Sequence, residues 1–350
     1  MNRRTQTSGA TLPQMLLTGV LAMLIAAQPV FSAGRAERDL REVVIGYQAI
    51  PNGEMIAKNL GWHEESFGVG VRWVQFNSGS ELNAAVAAGS VDLGLGGSST
   101  TVAAITQGVP AEVIWIYNII GDNEALVVRA DGDVRQVADL AGRRVAAPFG
   151  ATTHYHLLAA LELAGVDPNS LTILDMSPGD MRAAWQRGDI DAGFVWEPTL
   201  AAMLELGGRV LITSGELAAQ GFLTGDIGIV RSGFAERHPE LVVRYLKNQM
   251  RAVDFIRDDP EQAAQSIAEE FGIEAQEALR QMSTLVFLSG EQQTTASYLG
   301  RTGRIGELAD VFVETGQFLA DQGAIREAPA RDVFERAINP GYLEQALNRN

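Results

Sequence analysis

Hydroxyl side chains are concentrated in two short segments that follow glycines. One contains Ser98 and Ser99, and the other contains Thr152 and Thr153. In each segment an apolar, β-rich run ends and a helical pattern begins, so the hydroxyls open a helix. Free backbone N–H groups and the helix dipole attract an anion there, and the hydroxyls add neutral donors. Such turns, which contain no Lys or Arg, can hold a weakly basic oxyanion such as a sulfonate; alternatively, the hydroxyls cap their own helices.

Two acidic residues stand directly before apolar, β-rich runs. Glu124 and Asp226 are candidates to bind an ammonium group through charge-assisted hydrogen bonds, and Glu197 is a possible third acid. Trp196 either packs on the methylenes of a ligand or belongs to the core. Ordinary solvated surface charge is the alternative for the acids. Hydroxyl turns and paired acids together favour a zwitterion, because two carboxylates would repel a dianion such as sulfate.

The elements that must position these residues follow an alternating pattern. Short β-rich runs alternate with helical patterns, which predicts parallel sheets with crossover helices, an α/β fold. Ligands bind beyond the carboxyl ends of the strands in such sheets. The strand-to-helix turns that qualify are residues 47–48, 97–100, 151–154 and 196–198, of which the first contains Gln48.

One internal repeat indicates two lobes of the same design. Residues 84–94 and 183–193 share Ala, Ala, Gly, Asp and Gly at a constant offset of 99 positions. We predict a first lobe from residues 37–124 plus 229–350 and a second lobe from residues 125–228. The chain then crosses between the lobes twice, which is what a hinge-bending protein requires. The repeated acids, Asp92 and Asp191, are expected to form hydrogen bonds at turns and helix ends.

The N-terminus has the layout of a secretory signal peptide. Arg3 and Arg4 precede a largely apolar stretch at residues 12–27, and small residues follow at Ser32 and Ala36. We predict a signal peptide over residues 1–36, with cleavage between Ser32 and Ala36 and export of the remainder. A single membrane anchor is the alternative. The chain contains no Cys, which excludes a lipid anchor on cysteine and any disulfide.

The overall composition restricts the partners. The chain has 350 residues, of which 46% are hydrophobic, and a formal net charge of −16. This length suits two domains, and the charge argues against nucleic acid or an anionic membrane as partner. The four histidines, His63, His154, His156 and His238, do not have metal-ligand spacing. We therefore predict no metal site.

Several motifs resemble those of the periplasmic taurine-binding proteins of ABC importers, within the wider alkanesulfonate, nitrate and taurine group. The matching stretches are GYQ (46–48), GSS (97–99), NEALVV (123–128), PFGATTHY (148–155), AAWQRGDID (183–191), VWEP (195–198) and Asp226 before Ile227. The resemblance extends to about residue 325. Residues 152–155 and 185–191 are its most specific parts, whereas residues 215–225 fit loosely, which puts the choice of ligand in question.

This resemblance implies a two-lobed periplasmic-binding-protein fold of type II with two hinge crossings. It further implies a monomer without cofactor or catalysis, which captures taurine in the periplasm and delivers it to an ABC permease and its ATPase. Ser98, Ser99, Thr152 and Thr153 would contact the sulfonate. Glu124 and Asp226 would contact the amine, and Gln48 and Trp196 would line the site.

Other functions are compatible with the sequence. The same fold could bind an alkanesulfonate, a longer amino-sulfonate or a small amine. It could also serve as an enzyme on this scaffold or as a ligand-sensing module of a receptor. A simple alkanesulfonate has no use for Glu124 and Asp226, and an enzyme of this kind usually has a cytoplasmic start or an added histidine and metal cluster.

Overall fold

A computed structural model describes residues 40–348 of the chain. The predicted signal peptide and its cleavage site lie outside the described residues. Among the residues described, no helix is long and apolar enough to cross a membrane.

The secondary structure alternates as the sequence predicts. The strands form two five-stranded sheets and one short hairpin, and in chain order they are β1 (Glu42–Tyr47), β2 (Gly70–Gln75), β3 (Leu93–Gly97), β4 (Ala111–Ile119), β5 (Glu124–Arg129), β6 (Arg144–Ala147), β7 (Thr172–Asp175), β8 (Ala192–Trp196), β9 (Gly208–Thr213), β10 (Gly225–Arg231), β11 (Gly300–Arg301) and β12 (Arg304–Ile305).

The helices lie between these strands and fill the C-terminal part of the described chain. They are α1 (Gly53–Asn59), α2 (Trp62–Phe67), α3 (Gly79–Ala87), α4 (Ser98–Thr106), α5 (Thr152–Leu163), α6 (Pro178–Arg187), α7 (Thr199–Glu205), α8 (Ser214–Ala218), α9 (Ser232–Ala235), α10 (Pro239–Asp258), α11 (Pro260–Phe271), α12 (Ala275–Met282), α13 (Gly290–Gln293), α14 (Leu308–Asp321), α15 (Arg331–Ala337) and α16 (Gly341–Leu347).

The two large sheets have the same topology. The first has the strand order β2-β1-β3-β10-β4, and the second has the order β7-β6-β8-β5-β9. These orders correspond strand for strand, which confirms a two-lobed α/β fold with two crossings. The chain leaves the first sheet after β4 to enter β5, and it returns through β10.

The prediction of parallel sheets is wrong for one strand in each sheet. β5 runs antiparallel to β8 and β9, and β10 runs antiparallel to β3 and β4. These two strands enter their sheets from the other lobe, at the edge where the remaining strands end. They therefore run away from that edge, whereas their neighbours run towards it.

The repeat seen in the sequence extends through the helix before each central strand. The Ser78 hydroxyl caps α3 by accepting from the backbone N–H of Glu81, and the Ser177 hydroxyl caps α6 in the same way. The positive-φ residues Gly89 and Gly188 follow α3 and α6 at equivalent places, where a left-handed residue is required to end a helix.

The repeated aspartates brace neighbouring strands, whereas the sequence predicted hydrogen bonds at turns and helix ends. Asp92 Oδ2 accepts from the backbone N–H of Val44 at 3.0 Å, and Asp191 Oδ2 accepts from that of Arg144 at 2.8 Å. Each aspartate thus ties the start of a central strand to its parallel neighbour, which explains why both precede an apolar run.

Candidate ligand-binding site

A cavity lies between the two sheets, at the edge where their parallel strands end. The space inside it, together with the part open to solvent, is about 270 Å³. Its walls come from both lobes and consist of Gln48, Ile50, Gly79, Gly97, Thr100, Glu124, Ala151, Thr152, Trp196 and Asp226. Five of the eight residues predicted from the sequence are in this lining. Among these lining residues there is no Lys, Arg or His, so the wall offers carboxylates and neutral donors.

The two acids occupy equivalent positions of the two sheets. Glu124 pairs with Trp196 in the ladder between β5 and β8, and Asp226 pairs with Gly97 in the ladder between β10 and β3. Trp196 and Gly97 are 99 positions apart, which is the offset of the internal repeat. The same strand in each lobe therefore places one carboxylate at the cavity.

Asp226 carries a buried carboxyl group whose surroundings disfavour the ionised form. Its side chain accepts a hydrogen bond from Asn118 Nδ2 at 2.8 Å, and Asn52 supports Asn118 at 3.3 Å. Burial, followed by the charge of Glu124, raises the pKa of Asp226 to about 7, although the bond from Asn118 opposes the shift. A cation that enters the cavity would favour release of this proton.

Glu124 is held by hydroxyl groups on both of its oxygens. Thr152 Oγ1 donates to Oε1 at 2.6 Å, and Ser214 Oγ donates to Oε2 at 3.2 Å. Its residue exposure is 3%. The Thr152 hydroxyl, which the sequence assigns to an anion, is thus engaged with Glu124 in this structure.

The N-termini of α4 and α5 face each other across the gap between the lobes. The residues before the two helices are Gly97 and Ala151, and among the described residues neither helix has a side-chain cap. The hydroxyls therefore do not cap these helices. Ser99 Oγ instead donates to the carbonyl of Gly150 at 2.9 Å, in the opposite lobe. The N–H groups of both first turns remain available for an anion.

Three predicted residues are adjacent to the cavity but do not line it. The Ser98 hydroxyl accepts from the backbone N–H of Gly225 at 3.4 Å, and Ser99 makes the contact just described. Thr153 is fully buried, and its hydroxyl has no hydrogen-bond partner among the described residues. Contact of Ser98, Ser99 and Thr153 with an anion stays a prediction.

The remaining predicted residues take more than one role. Gln48 lines the cavity and donates from Nε2 to the carbonyl of Leu95 at 3.2 Å, which fixes its orientation. Trp196 lines the cavity and also packs against the apolar core of the first sheet. Its place in the core is thereby confirmed, whereas its contact with a ligand stays a prediction.

The suggestion that Glu197 is a third ligand-binding acid is wrong for the described cavity. Glu197 is buried outside the lining, where Arg280 Nη2 donates to its Oε1 at 2.7 Å and the backbone N–H of Ala201 donates to its Oε2 at 2.8 Å. Burial raises the pKa of Glu197, and Arg280 opposes that shift.

Sequence reasoning placed Thr100 in a candidate turn, residues 97–100, without naming it as a ligand-binding residue, and it missed Ile50 and Asn118. Thr100 belongs to the same hydroxyl run as Ser98, and its position two residues further along the helix turns it towards the cavity. Asn118 lies in the apolar run of β4, where a lone amide next to a predicted crossing was the available signal.

Comparison with known proteins gives a consistent set of relatives. Residues 52–263 match the family model described as NMT1/THI5 like. The chain is 34% identical over 290 residues to the taurine-binding periplasmic protein of Escherichia coli (strain K12), which covers 81% of this chain and 87% of the relative. It is 27% identical over 256 residues to a putative aliphatic sulfonates-binding protein of Bacillus subtilis (strain 168), covering 71% and 76%.

Solved structures share the fold. The alkanesulfonate-binding protein SsuA from Xanthomonas axonopodis pv. citri bound to MOPS superposes with a TM-score of 0.70 at 23% identity, covering 86% of this chain and 98% of that chain. The desulfurization enzyme DSZB superposes with a TM-score of 0.62 at 18% identity, covering 88% and 99%. The same two-lobed architecture therefore occurs in a binding protein and in an enzyme.

Proposed function

The chain belongs to the NMT1/THI5-like family, and from that membership we propose that it is an exported solute-binding protein that captures taurine between its lobes. It acts in the periplasm and delivers the ligand to an ABC permease with its ATPase. The lobes are residues 37–124 plus 229–350 and residues 125–228, limits that lie close to the starts of β5 at Glu124 and of β10 at Gly225.

The placement of Glu124 and Asp226 is the observation that carries this proposal. Two carboxylates at equivalent positions line one cavity, which also holds the uncapped helix N-termini of α4 and α5. An ammonium between the carboxylates gains charge-assisted hydrogen bonds, and a sulfonate at the helix N-termini receives neutral donors. Taurine carries both groups at the ends of a short chain.

A simple aliphatic sulfonate is the second candidate. The name of the Bacillus relative favours it, because that protein is described as binding aliphatic sulfonates. Such a ligand would leave the buried carboxyl group of Asp226 without a cationic partner, which costs free energy when it is ionised. We therefore place it after taurine, and we place catalysis last because the lining combines its carboxylates with no histidine or cysteine.

A thermal-shift panel tests the ligand. Taurine at about a hundredfold excess over its Kd is expected to stabilise the protein by roughly 2.7 kcal/mol, which raises the melting temperature by several degrees. Ethanesulfonate lacks the amine and β-alanine lacks the sulfonate, so the pair separates the two ends of the cavity. Both should give smaller shifts. An equal shift with ethanesulfonate would remove the amine assignment, and no shift with any sulfonate would refute the proposal.

Closure of the lobes should be sensitive to a methyl group at Gly97. A Cβ there would lie 2.8 Å from Thr152 Cγ2 of the other lobe. Opening of the lobes relieves this clash, so we expect Gly97→Ala to weaken taurine binding by about 1 kcal/mol and to spare the ligand-free fold. Calorimetry and thermal melts measure the two effects.

Gly179→Ala is the matched control for Gly97→Ala. A Cβ at Gly179 would have only Ser177 Oγ near it, at 4.0 Å within its own helix start. Its affinity for taurine should equal that of the wild type. A Gly97→Ala protein that melts lower yet binds normally would show that the contact stabilises the fold and not closure.

A further inference from the structure

A fully buried histidine stands behind the carboxylate of Glu124. His156 lies on α5, outside the cavity lining, among the rings of Tyr155 and Phe194. Its Nε2 is 2.8 Å from the carbonyl oxygen of Phe222, and its Nδ1 is 2.6 Å from Ser214 Oγ. His156 Nδ1 is also 3.7 Å from Glu124 Oε2.

The hydrogen-bond partners restrict the protons that His156 carries. A carbonyl oxygen only accepts, so Nε2 must carry a hydrogen that it donates to Phe222. Ser214 has a single hydroxyl hydrogen, and its Oγ lies within bonding distance of both Glu124 and His156. When Ser214 donates to Glu124, the Nδ1 of His156 must donate to Ser214, and both ring nitrogens are then protonated.

The surroundings of Glu124 favour this arrangement over its alternative. In the alternative, a protonated Glu124 donates to Ser214, which donates to a neutral His156. Thr152 donates to the other oxygen of Glu124 at 2.6 Å in either case, so both carboxylate oxygens accept from a hydroxyl in the first arrangement, whereas only one does in the alternative. Donors on both oxygens stabilise the ionised form of a carboxylate. An imidazolium nearby offsets the burial of that charge.

We propose that His156 is a positively charged positioning residue that holds Glu124 ionised through Ser214, so that Asp226 alone supplies the net charge facing the ligand's ammonium. The role of this relay of His156, Ser214 and Glu124 in ligand binding rests on the proposed function. The protonation states of the three side chains are argued from their mutual contacts alone. A cavity built in this way selects a ligand with one positive charge at that end. Among the described residues, the titratable side chains near the relay include Asp226 on β10, which interacts with the charge of Glu124, Tyr155 on α5, whose ring packs on His156, and Asp122, which lies beside Gly215.

Nitrogen-15 NMR of the ligand-free protein tests the relay without any taurine. Both ring nitrogens of His156 should be protonated at pH 7.5, with the signal assigned by its loss in His156→Gln. Glu124→Gln should convert the ring to a singly protonated form. Ser214→Ala removes the hydroxyl between the two side chains and should weaken the dependence of His156 protonation on Glu124. A wild-type ring with an unprotonated Nδ1 that does not respond to Glu124→Gln would overturn the proposal.

Proton exchange on binding gives a second readout. In His156→Gln, the amide can replace both hydrogen bonds but not the charge, so one of the two carboxyl groups should hold a proton in the empty cavity. Calorimetry with taurine in buffers of different ionisation enthalpy should then detect a larger proton release than in the wild type at pH 7. Equal release in both proteins counts against the relay. Failure of the wild type to bind taurine would refute the proposed function and leave the NMR result to judge the relay.

Discussion

Asp226→Asn is expected to weaken taurine binding by about 1.5–3 kcal/mol, the scale of a hydrogen bond to a charged group. The asparagine keeps the size of the side chain and its position opposite Gly97 in the ladder between β10 and β3. It removes the charge that would meet the ammonium. Isothermal titration calorimetry at pH 8 measures the loss, and an unchanged affinity in a folded protein would remove Asp226 from the ammonium end of the site.

The same substitution should have the opposite effect on the empty protein. The pKa of Asp226 rises from 3.8 to about 7 on folding, so the folded state holds the proton more tightly than the unfolded chain does. This contribution to stability is complete below about pH 4 and is lost as the pH rises through about 7. Asp226→Asn, which never carries the buried charge, should be at least as stable as the wild type at pH 8.

Denaturant unfolding at pH 5 and pH 8 measures this effect. The wild type should lose more stability between the two pH values than Asp226→Asn does. Asp131→Asn, at an exposed position, is the matched control and should follow the wild type in both affinity and pH dependence. A decline that is the same in Asp226→Asn and in the wild type would mean that another group titrates in this range.

The sequence predicted the elements well because their signals are local. Alternating β-rich and helical runs act within a few positions, and so do the caps Ser78 and Ser177 and the stop residues Gly89 and Gly188 that the structure shows. Strand direction has no local signal, because β-rich residues occur in parallel and antiparallel ladders alike. The directions of β5 and β10 were therefore predicted wrongly. Helix α8 had a local signal, a capping box between Thr213 and Glu216, which was overlooked.

The site was predicted less completely for a geometric reason. Successive residues of a helix are about 100° apart around its axis, so a run of hydroxyls cannot point in one direction. Thr100 and Thr152 therefore line the cavity, whereas Ser98, Ser99 and Thr153 do not. The hydrogen-bond partners of the acids could not be predicted from the sequence either, because Ser214 and Glu124 are 90 positions apart in the chain.

An ion pair between the lobes suggests what holds them together. Glu197 follows β8 in the second lobe and its side chain is 1% exposed, whereas Arg280 lies on α12, among the C-terminal helices, and is 47% exposed. In the arrangement of this structure Arg280 is the cation that satisfies Glu197. In an open arrangement water could solvate Glu197 instead, so the pair should stabilise closure more than folding.

Arg280→Ala should therefore weaken taurine binding by about 2 kcal/mol, or roughly thirtyfold. This is below the usual cost of breaking a fully buried pair because Arg280 is half exposed, where solvent screens the interaction. Calorimetry measures the affinity, and small-angle X-ray scattering should show a larger radius of gyration in the presence of taurine than for the wild type. Arg336→Ala, which breaks an exposed pair with Asp332, is the control and should change neither.

The second substitution Glu197→Gln separates closure from folding. In the double variant Arg280→Ala with Glu197→Gln no carboxylate is left buried without a cation, so much of the lost affinity should return. Restoration of affinity with little change in the free energy of unfolding would identify the pair as a latch between the lobes. If Arg280→Ala instead lowers the free energy of unfolding by about 2 kcal/mol and binds taurine normally, the pair stabilises the fold. Closure would then depend on the ligand and on the facing helix N-termini.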